Sequence, residues 1–183
     1  MPTLSSLADP KNYHILTYGT LLGSNLFQTF LAGPLAFKAL PRPSFSVLQQ
    51  AIFPPYFGFQ TVLPLVLALT WPGEKIASIR KNAGPMGLLE EENRWIAMLP
   101  IATMFVTSLA NLLVLGPATT KVMKERKHQE TRDGKKYYDP GPKSAEMQRL
   151  NSSFAKLHGA SSLANVIGLG AMLVYGMTLA ERL

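Results

Sequence analysis

The chain contains no cysteine, which excludes disulfides, thiolate nucleophiles and cysteine-based metal sites. Charged residues make up only 16% of the chain. They are missing from four long stretches, at 12–37, 43–73, 95–117 and 157–180. Helices of a soluble protein need a polar outer face. This distribution therefore argues against a soluble helical bundle.

The four uncharged stretches predict membrane-spanning helices, because a helix needs about 20 mainly apolar residues to cross the bilayer core. We predict one membrane domain over residues 1–183, with spans at 13–37, 53–71, 95–117 and 159–180. The predicted fold class is all-α: a four-helix transmembrane bundle with short interfacial helices on the cytoplasmic side.

Two segments predict the interfacial helices. The stretch 43–73 is too long for one span, and Pro54, Pro55 and Pro64 lie in its interior. These favour a short helix at 45–52 with Ser44 as its N-cap, followed by a bent span. In the second segment, at 144–157, apolar residues recur at helical spacing. This pattern predicts a helix lying on the membrane surface.

The distribution of basic residues predicts the orientation. The segments after the first and third spans contain twelve Lys and Arg residues, against six in the remaining connections and tails. Basic loops face the cytoplasm, so the loop at about 119–157 is expected there, with both termini in the lumen. A basic loop beside the inner leaflet favours anionic lipid as its partner. We expect headgroup contacts from Lys121, Lys124, Arg126 and Lys127.

Nucleic acid is not expected as a partner, because the chain has no aromatic-interleaved basic patch and no nucleic-acid motif. The net charge of +7 is explained by the membrane surface instead.

Polar residues share helical faces within the spans, and such faces are expected to turn away from lipid. The face of the third span includes Asn111, and the face of the fourth includes His158, Ser161 and Asn165. The two Asn residues are expected at similar depth, forming a bridge between these helices. A polar binding site is therefore predicted from the residues Asn111, His158, Ser161, Asn165, Gln28 and Gln49. Two interpretations stay open: hydrogen bonds that hold the bundle together, and a polar pocket or path.

Catalytic chemistry has little support in the sequence. His158 is the titratable group nearest the polar faces, but no span contains an Asp or Glu to act with it. No His or carboxylate spacing indicates a metal site. We expect no catalytic residue, metal or cofactor.

Small residues also share helical faces, which allows close helix packing in lipid. Gly19 and Gly23 form a GxxxG pattern, and Ala160, Ala164 and Gly168 recur every four residues. Packing inside the bundle and homo-oligomerisation both explain such patterns.

Four segments, in order, resemble the transmembrane protein 205 family of eukaryotes, in a fungal-type form. The first is Phe30-Leu-Ala-Gly-Pro-Leu-Ala-Phe-Lys-Ala-Leu-Pro-Arg42. The second comprises Phe45, Gln49 and Phe53-Pro-Pro-Tyr-Phe57. The third comprises Asn111, Pro117, Thr119, Thr120 and Met123, and the fourth Phe154, His158-Gly159, Ser161-Ser162 and Asn165. The resemblance implies a small four-span protein of the endoplasmic reticulum or another endomembrane, without an established reaction.

These observations favour a non-enzymatic membrane protein with a transport-related or adaptor role, partnered by the bilayer and by itself or another membrane protein. The alternative is a membrane-embedded enzyme, or a haem- or lipid-binding protein, that uses His158.

Overall fold

The computed structural model describes residues 9–76, 79–81 and 83–182, with the backbone alone at 74–76 and 79–81. Four long helices alternate in direction along the chain. The first consists of α1 (Pro10–Leu26), a π-helical turn (Phe27–Ala32) and α2 (Gly33–Ala39). The second is α3 (Arg42–Leu69).

A short ribbon and a short helix join the second and third long helices. Strands β1 (Glu74–Ile76) and β2 (Ile79–Lys81) pair antiparallel, and α4 covers Gly84–Leu88. The third long helix begins with a 3-10 turn (Glu91–Asn93) and a π turn (Arg94–Met98). It continues as α5 (Leu99–Ala110), a π turn (Asn111–Leu115) and α6 (Gly116–Asp133). The fourth is α7 (Ala145–Arg182).

The fold is the predicted all-α membrane bundle. Within the described residues, three helices are long and apolar enough to cross a membrane: Arg42–Leu69, Glu91–Asp133 and Ala145–Arg182. The first long helix packs with them, and its polar side chains, Asn25 and Gln28 among them, lower its hydropathy. These helices place the chain in contact with a lipid bilayer.

Hydroxyl groups of neighbouring helices bind carbonyls that prolines leave without their usual partner. Pro64 has no N–H for the carbonyl of Gln60. The Ser108 hydroxyl of the third helix lies 3.1 Å from that oxygen and 2.8 Å from the Met104 carbonyl of its own helix, so its one hydrogen is shared between the two helices. Pro100 likewise has no N–H for the carbonyl of Ile96. The Thr178 hydroxyl of the fourth helix donates to that carbonyl at 3.0 Å. Membrane helices tolerate proline when such donors are present. The same contacts tie the third helix to the second and the fourth.

The structure corrects the predicted division of the second stretch. Helix α3 runs without interruption from Arg42 to Leu69, through Pro54, Pro55 and Pro64. Its first turn begins after Pro41, with Pro43 in a first-turn position, so Ser44 lies inside the helix rather than at its cap. Proline fits the first turn because the N–H groups there have no helical partner.

The structure also corrects the predicted surface helix. Residues 145–157 are the first part of α7, a single helix of 38 residues that measures about 57 Å at 1.5 Å per residue. Ser144 caps it, accepting from the backbone N–H of Met147 at 3.1 Å. Met147 and Leu150 are buried where α7 packs on α6. The apolar stripe is therefore covered by protein, and α6 and the start of α7 form a helical hairpin.

The apolar core lies in the half of the bundle away from this hairpin. Its members come from all four long helices and include Leu21, Leu67, Trp71, Met104 and Tyr175. Many large apolar side chains point outward instead, such as Phe27, Leu113 and Leu163. Outward apolar side chains along the spans are the surface that lipid covers.

Candidate functional site

A network of hydrogen-bonded polar side chains joins the helices in the half of the bundle nearer the hairpin. Asn165 of α7 is at its centre. Its Oδ1 accepts from Asn25 Nδ2 and from the Tyr56 hydroxyl, each at 3.2 Å. Its Nδ2 donates to Thr29 Oγ1 at 3.0 Å. One amide thus binds the fourth helix to the first and second.

The structure places Asn111 on the same inner side, and the side chain is 1% exposed. Its Nδ2 donates to the backbone carbonyl of Ser161 at 3.3 Å. The predicted direct bond between Asn111 and Asn165 is not made, because Asn165 is held by the first two helices. The third helix is still joined to the fourth, one helical turn away from Asn165.

The other predicted site residues lie apart from these contacts. Ser161 contributes its carbonyl, while Gln28 is half-buried and Gln49 is buried. Neither Gln has a side-chain hydrogen bond to the network within the described ranges. His158 is exposed, and its ring stacks on Phe154 with centroids 5.5 Å apart. The structure therefore separates His158 from the polar network, because it lies on the outer side of α7.

Gln60 extends the network towards the middle of the bundle. Its Nε2 donates to Ser24 Oγ at 2.8 Å and to the Leu21 carbonyl at 3.4 Å. Gln60 and Asn111 border a small void together with Asn25, Ser108 and Asn165. Polar side chains of all four helices therefore meet at one place.

A second polar cluster, which the sequence interpretation missed, surrounds His14. His14 is fully buried, with Nδ1 2.9 Å from Thr70 Oγ1 and Nε2 2.5 Å from the Tyr175 hydroxyl. Thr70 donates its own proton to the Val66 carbonyl at 2.7 Å. Nδ1–H must therefore donate to Thr70, and Nε2 accepts from Tyr175. This arrangement fixes a neutral tautomer.

The signal that identifies His14 is its register. His14, Leu21 and Asn25 are the buried residues of α1, and they recur at helical spacing. Thr20, another polar residue of α1, lies outside this stripe: it is exposed and bonds to the Leu16 carbonyl of its own helix.

The small-residue patterns have different surroundings. A Cβ added at Gly19 or Gly23 would meet nothing within 4 Å, so this GxxxG pattern lies outside the bundle contacts. In contrast, a Cβ at Gly168 would lie 2.9 Å from Thr107 Oγ1. Gly168 allows the third and fourth helices to approach closely.

The helical hairpin is organised around Arg126, which the structure removes from the predicted headgroup-binding residues. Arg126 is buried, with its guanidinium 3.8 Å from the Tyr137 ring centroid and 4.5 Å from that of Phe154. Desolvation by burial lowers its pKa, against the attraction of nearby Tyr137 and Glu130. A guanidinium stacks on aromatic faces and stays charged. Arg126 therefore joins α6 to α7 and to the loop between them.

Hydrogen bonds also order the loop between α6 and α7. Glu130 is buried, and its carboxylate accepts from the Tyr137 backbone N–H and the Lys127 ammonium, each at 3.2 Å. Contact with Glu130 raises the pKa of Lys127. Asp133 accepts from Ser144 at 2.7 Å, and Lys143 donates to the Lys136 carbonyl at 2.9 Å. The loop is a folded part of the hairpin.

The outer side of α6 is basic. Lys121, Lys124, His128 and Arg132 are all exposed and fall within an arc of about 80° at ~100° per residue. These four residues are called the basic stripe below. Lys127 is also exposed but is bound to Glu130. In the part of the chain that the structure describes, no three His, Asp or Glu side chains converge as metal ligands.

The long apolar helices and the buried polar network define a multi-pass helical membrane protein. The chain belongs to the family described as "Domain of unknown function (DUF4149)", whose model matches residues 16–128. It is similar to the "Xanthocillin biosynthesis cluster protein D" of Aspergillus fumigatus, with 29% identity over 180 residues, 98% of this chain and 95% of that protein. No solved structure matches the chain. The resemblance to the transmembrane protein 205 family stays a prediction.

Proposed function

We propose that this protein is a non-enzymatic membrane adaptor, in which the bundle is the anchor and the hairpin of α6 and α7 docks a partner. The observation that carries the proposal is the folded, basic hairpin that continues the third and fourth helices. Residues 116–158 contain ten Lys and Arg against five Asp and Glu. The partner surface is therefore expected to be acidic.

The polar residues of the bundle support an anchoring role. Asn165, Gln60 and Asn111 bind side chains or carbonyls of neighbouring helices. Each such bond contributes about 0.6 kcal/mol on average in a membrane protein. Polar groups used in this way hold helices together, and this favours the anchor over a substrate path through the bundle.

The length of the hairpin separates lipid contacts from partner contacts. Helix α6 has 18 residues and extends about 27 Å from Gly116 to Asp133 at 1.5 Å per residue. Lys121 and Lys124 lie near its start, within reach of lipid headgroups. Arg132 lies about 17 Å beyond Lys121 by the same rise. The far end of the basic stripe is therefore available to a soluble partner.

The class of partner follows from the named relative. That protein belongs by name to a xanthocillin biosynthesis cluster. The basic residues favour the cytoplasmic side for the hairpin. By analogy with the named relative, we propose that the hairpin holds there a soluble enzyme of small-molecule biosynthesis at the membrane. The acidic surface of that enzyme would bind the basic stripe, and the bond would weaken with salt.

Site-specific photo-crosslinking tests the proposal in cells that express the protein at its natural level. A photoreactive residue replaces Thr131, which is exposed beside the basic stripe. We expect a discrete adduct whose crosslinked peptide is acidic and comes from a soluble protein. The same residue at Leu163, which is exposed in the apolar part of α7, is the position control.

Two further variants show whether charge carries the contact. Charge reversal at the far end of the basic stripe by Arg132→Glu is expected to abolish the adduct. The matched variant, Arg132→Lys, keeps the charge and is expected to retain it. An adduct with lipid alone, or one that charge reversal leaves unchanged, would contradict the adaptor.

A further inference from the structure

Among the buried amide oxygens that have no hydrogen-bond partner in the described residues, two lie beside the small void in the bundle. They are Oε1 of Gln60 and Oδ1 of Asn111, whose residues are 2% and 1% exposed. A buried acceptor without a partner costs about 1–3 kcal/mol. The two oxygens belong to different helices, yet both residues border the same void.

The orientation of both amides is fixed by their nitrogens. Gln60 Nε2 donates to the Leu21 carbonyl at 3.4 Å, and Asn111 Nδ2 donates to the Ser161 carbonyl at 3.3 Å. Rotating either amide by 180° would place its oxygen against a carbonyl oxygen. The free group on each side chain is therefore an acceptor, and the species that fits between them must be a donor.

The size and charge of the surroundings restrict that species further. The void measures about 10 Å³, close to the ~10–15 Å³ that one water molecule needs. The spans contain no Asp or Glu to compensate a cation, and an uncompensated ion is costly in a low-dielectric interior. Asn25 also borders the void, and its Nδ2 carries a second N–H beyond the one given to Asn165.

We infer that a single water molecule binds in this void, donating to Gln60 Oε1 and Asn111 Oδ1 and accepting from Asn25 Nδ2. It completes a network that joins the first, second and third helices, with the fourth reached through Asn165. Buried water of this kind typically makes about three hydrogen bonds to polar groups. The inference is independent of the adaptor role.

Proton-detected solid-state NMR of the full chain in lipid bilayers tests this site. Magnetisation transferred from water should reach the side-chain amides of Asn111 and Gln60 at short mixing time. Gln49 is the matched control, because it is buried on the same helix as Gln60 and does not border the void. Transfer to Asn111 should be lost in the variant Gln60→Met, while the Asn111 amide shift that reports its bond to Ser161 persists.

Three results would overturn the inference. The first is an absence of transfer to both amides in the unchanged protein, which would mean a dry void. The second is equal transfer to Gln49, which would mean general water penetration. The third is a midpoint of thermal unfolding that is higher in sodium chloride than in potassium chloride or choline chloride at equal ionic strength, provided that Gln60→Met abolishes this difference. That result would assign a cation to the site.

Discussion

The contact between Gly176 of α7 and Tyr18 of α1 allows a quantitative test of the bundle. A Cβ at Gly176 would lie 2.0 Å from the Tyr18 hydroxyl oxygen and 2.9 Å from Cζ. That hydroxyl donates to the Met172 carbonyl at 3.1 Å. In Gly176→Ala, therefore, the Tyr18 ring must move and this hydrogen bond breaks.

The expected change in the free energy of unfolding has three contributions. Overpacking costs about 1–3 kcal/mol, and the lost hydrogen bond about 0.6 kcal/mol. Replacing glycine inside a helix recovers up to ~1 kcal/mol. We therefore expect Gly176→Ala to destabilise the protein by roughly 0.5–3.5 kcal/mol. Equilibrium unfolding in mixed detergent micelles measures the difference.

Two variants separate the contact from general effects of the substitution. Gly170 lies on the same helix with nothing within 4 Å of an added Cβ, so Gly170→Ala should leave stability unchanged or raise it by up to ~1 kcal/mol. In a Tyr18→Phe background the nearest clashing atom is gone, and Gly176→Ala should cost less than in the unchanged protein. If Gly176→Ala is as well tolerated as Gly170→Ala, the first and fourth helices do not approach as described.

Three further substitutions test the polar contacts. Ser108→Ala should lower the free energy of unfolding by about 1 kcal/mol, because the carbonyl freed by Pro64 loses its donor. The Thr103 hydroxyl bonds only within its own helix, so the control Thr103→Ala should lower it by less in the same assay. Asn165→Ala removes three hydrogen bonds between helices and should lower the free energy of unfolding by about 2 kcal/mol. An unchanged unfolding midpoint would show that Asn165 is not the centre of the polar network. Arg126→Lys removes the stacking of the guanidinium on two aromatic rings, which contributes about 0.5–2 kcal/mol for each ring. Amide hydrogen exchange in the loop 134–144 should therefore accelerate. Unchanged protection would show that the stacking is dispensable.

The helical class was predictable because charge is excluded from the apolar core of a membrane. The absence of Asp, Glu, Lys and Arg over four stretches predicted the helices without reference to packing. The course of α3 was not predictable in this way. Whether Pro64 interrupts a helix depends on a donor for the freed carbonyl, and that donor, Ser108, is 44 positions away in the sequence. Only the packed bundle shows that the two meet.

The polar site was predictable in part, for a related reason. Helical spacing identified Asn111 and Asn165 as inward residues, but spacing within one helix does not determine which partner faces each side chain. The sequence favours His158 as a site residue because it lies beside other polar residues of the fourth span. In the structure, His14 is buried against Thr70 and Tyr175, whereas His158 is exposed. Similarly, a stripe such as Met147 and Leu150 fits lipid or protein equally well.

We propose that the hairpin of α6 and α7 extends into water as a docking element, above a bundle held together by its own polar groups. Spin labels at Thr131 and Ala145 in anionic bilayers test this most directly, with a label at Leu163 as the membrane reference; all three positions are exposed. If the hairpin extends into water, the first two labels relax with a water-soluble paramagnetic reagent and the third with dissolved oxygen. Labels at Thr131 and Ala145 that are as shielded from the water-soluble reagent as the label at Leu163 would contradict it.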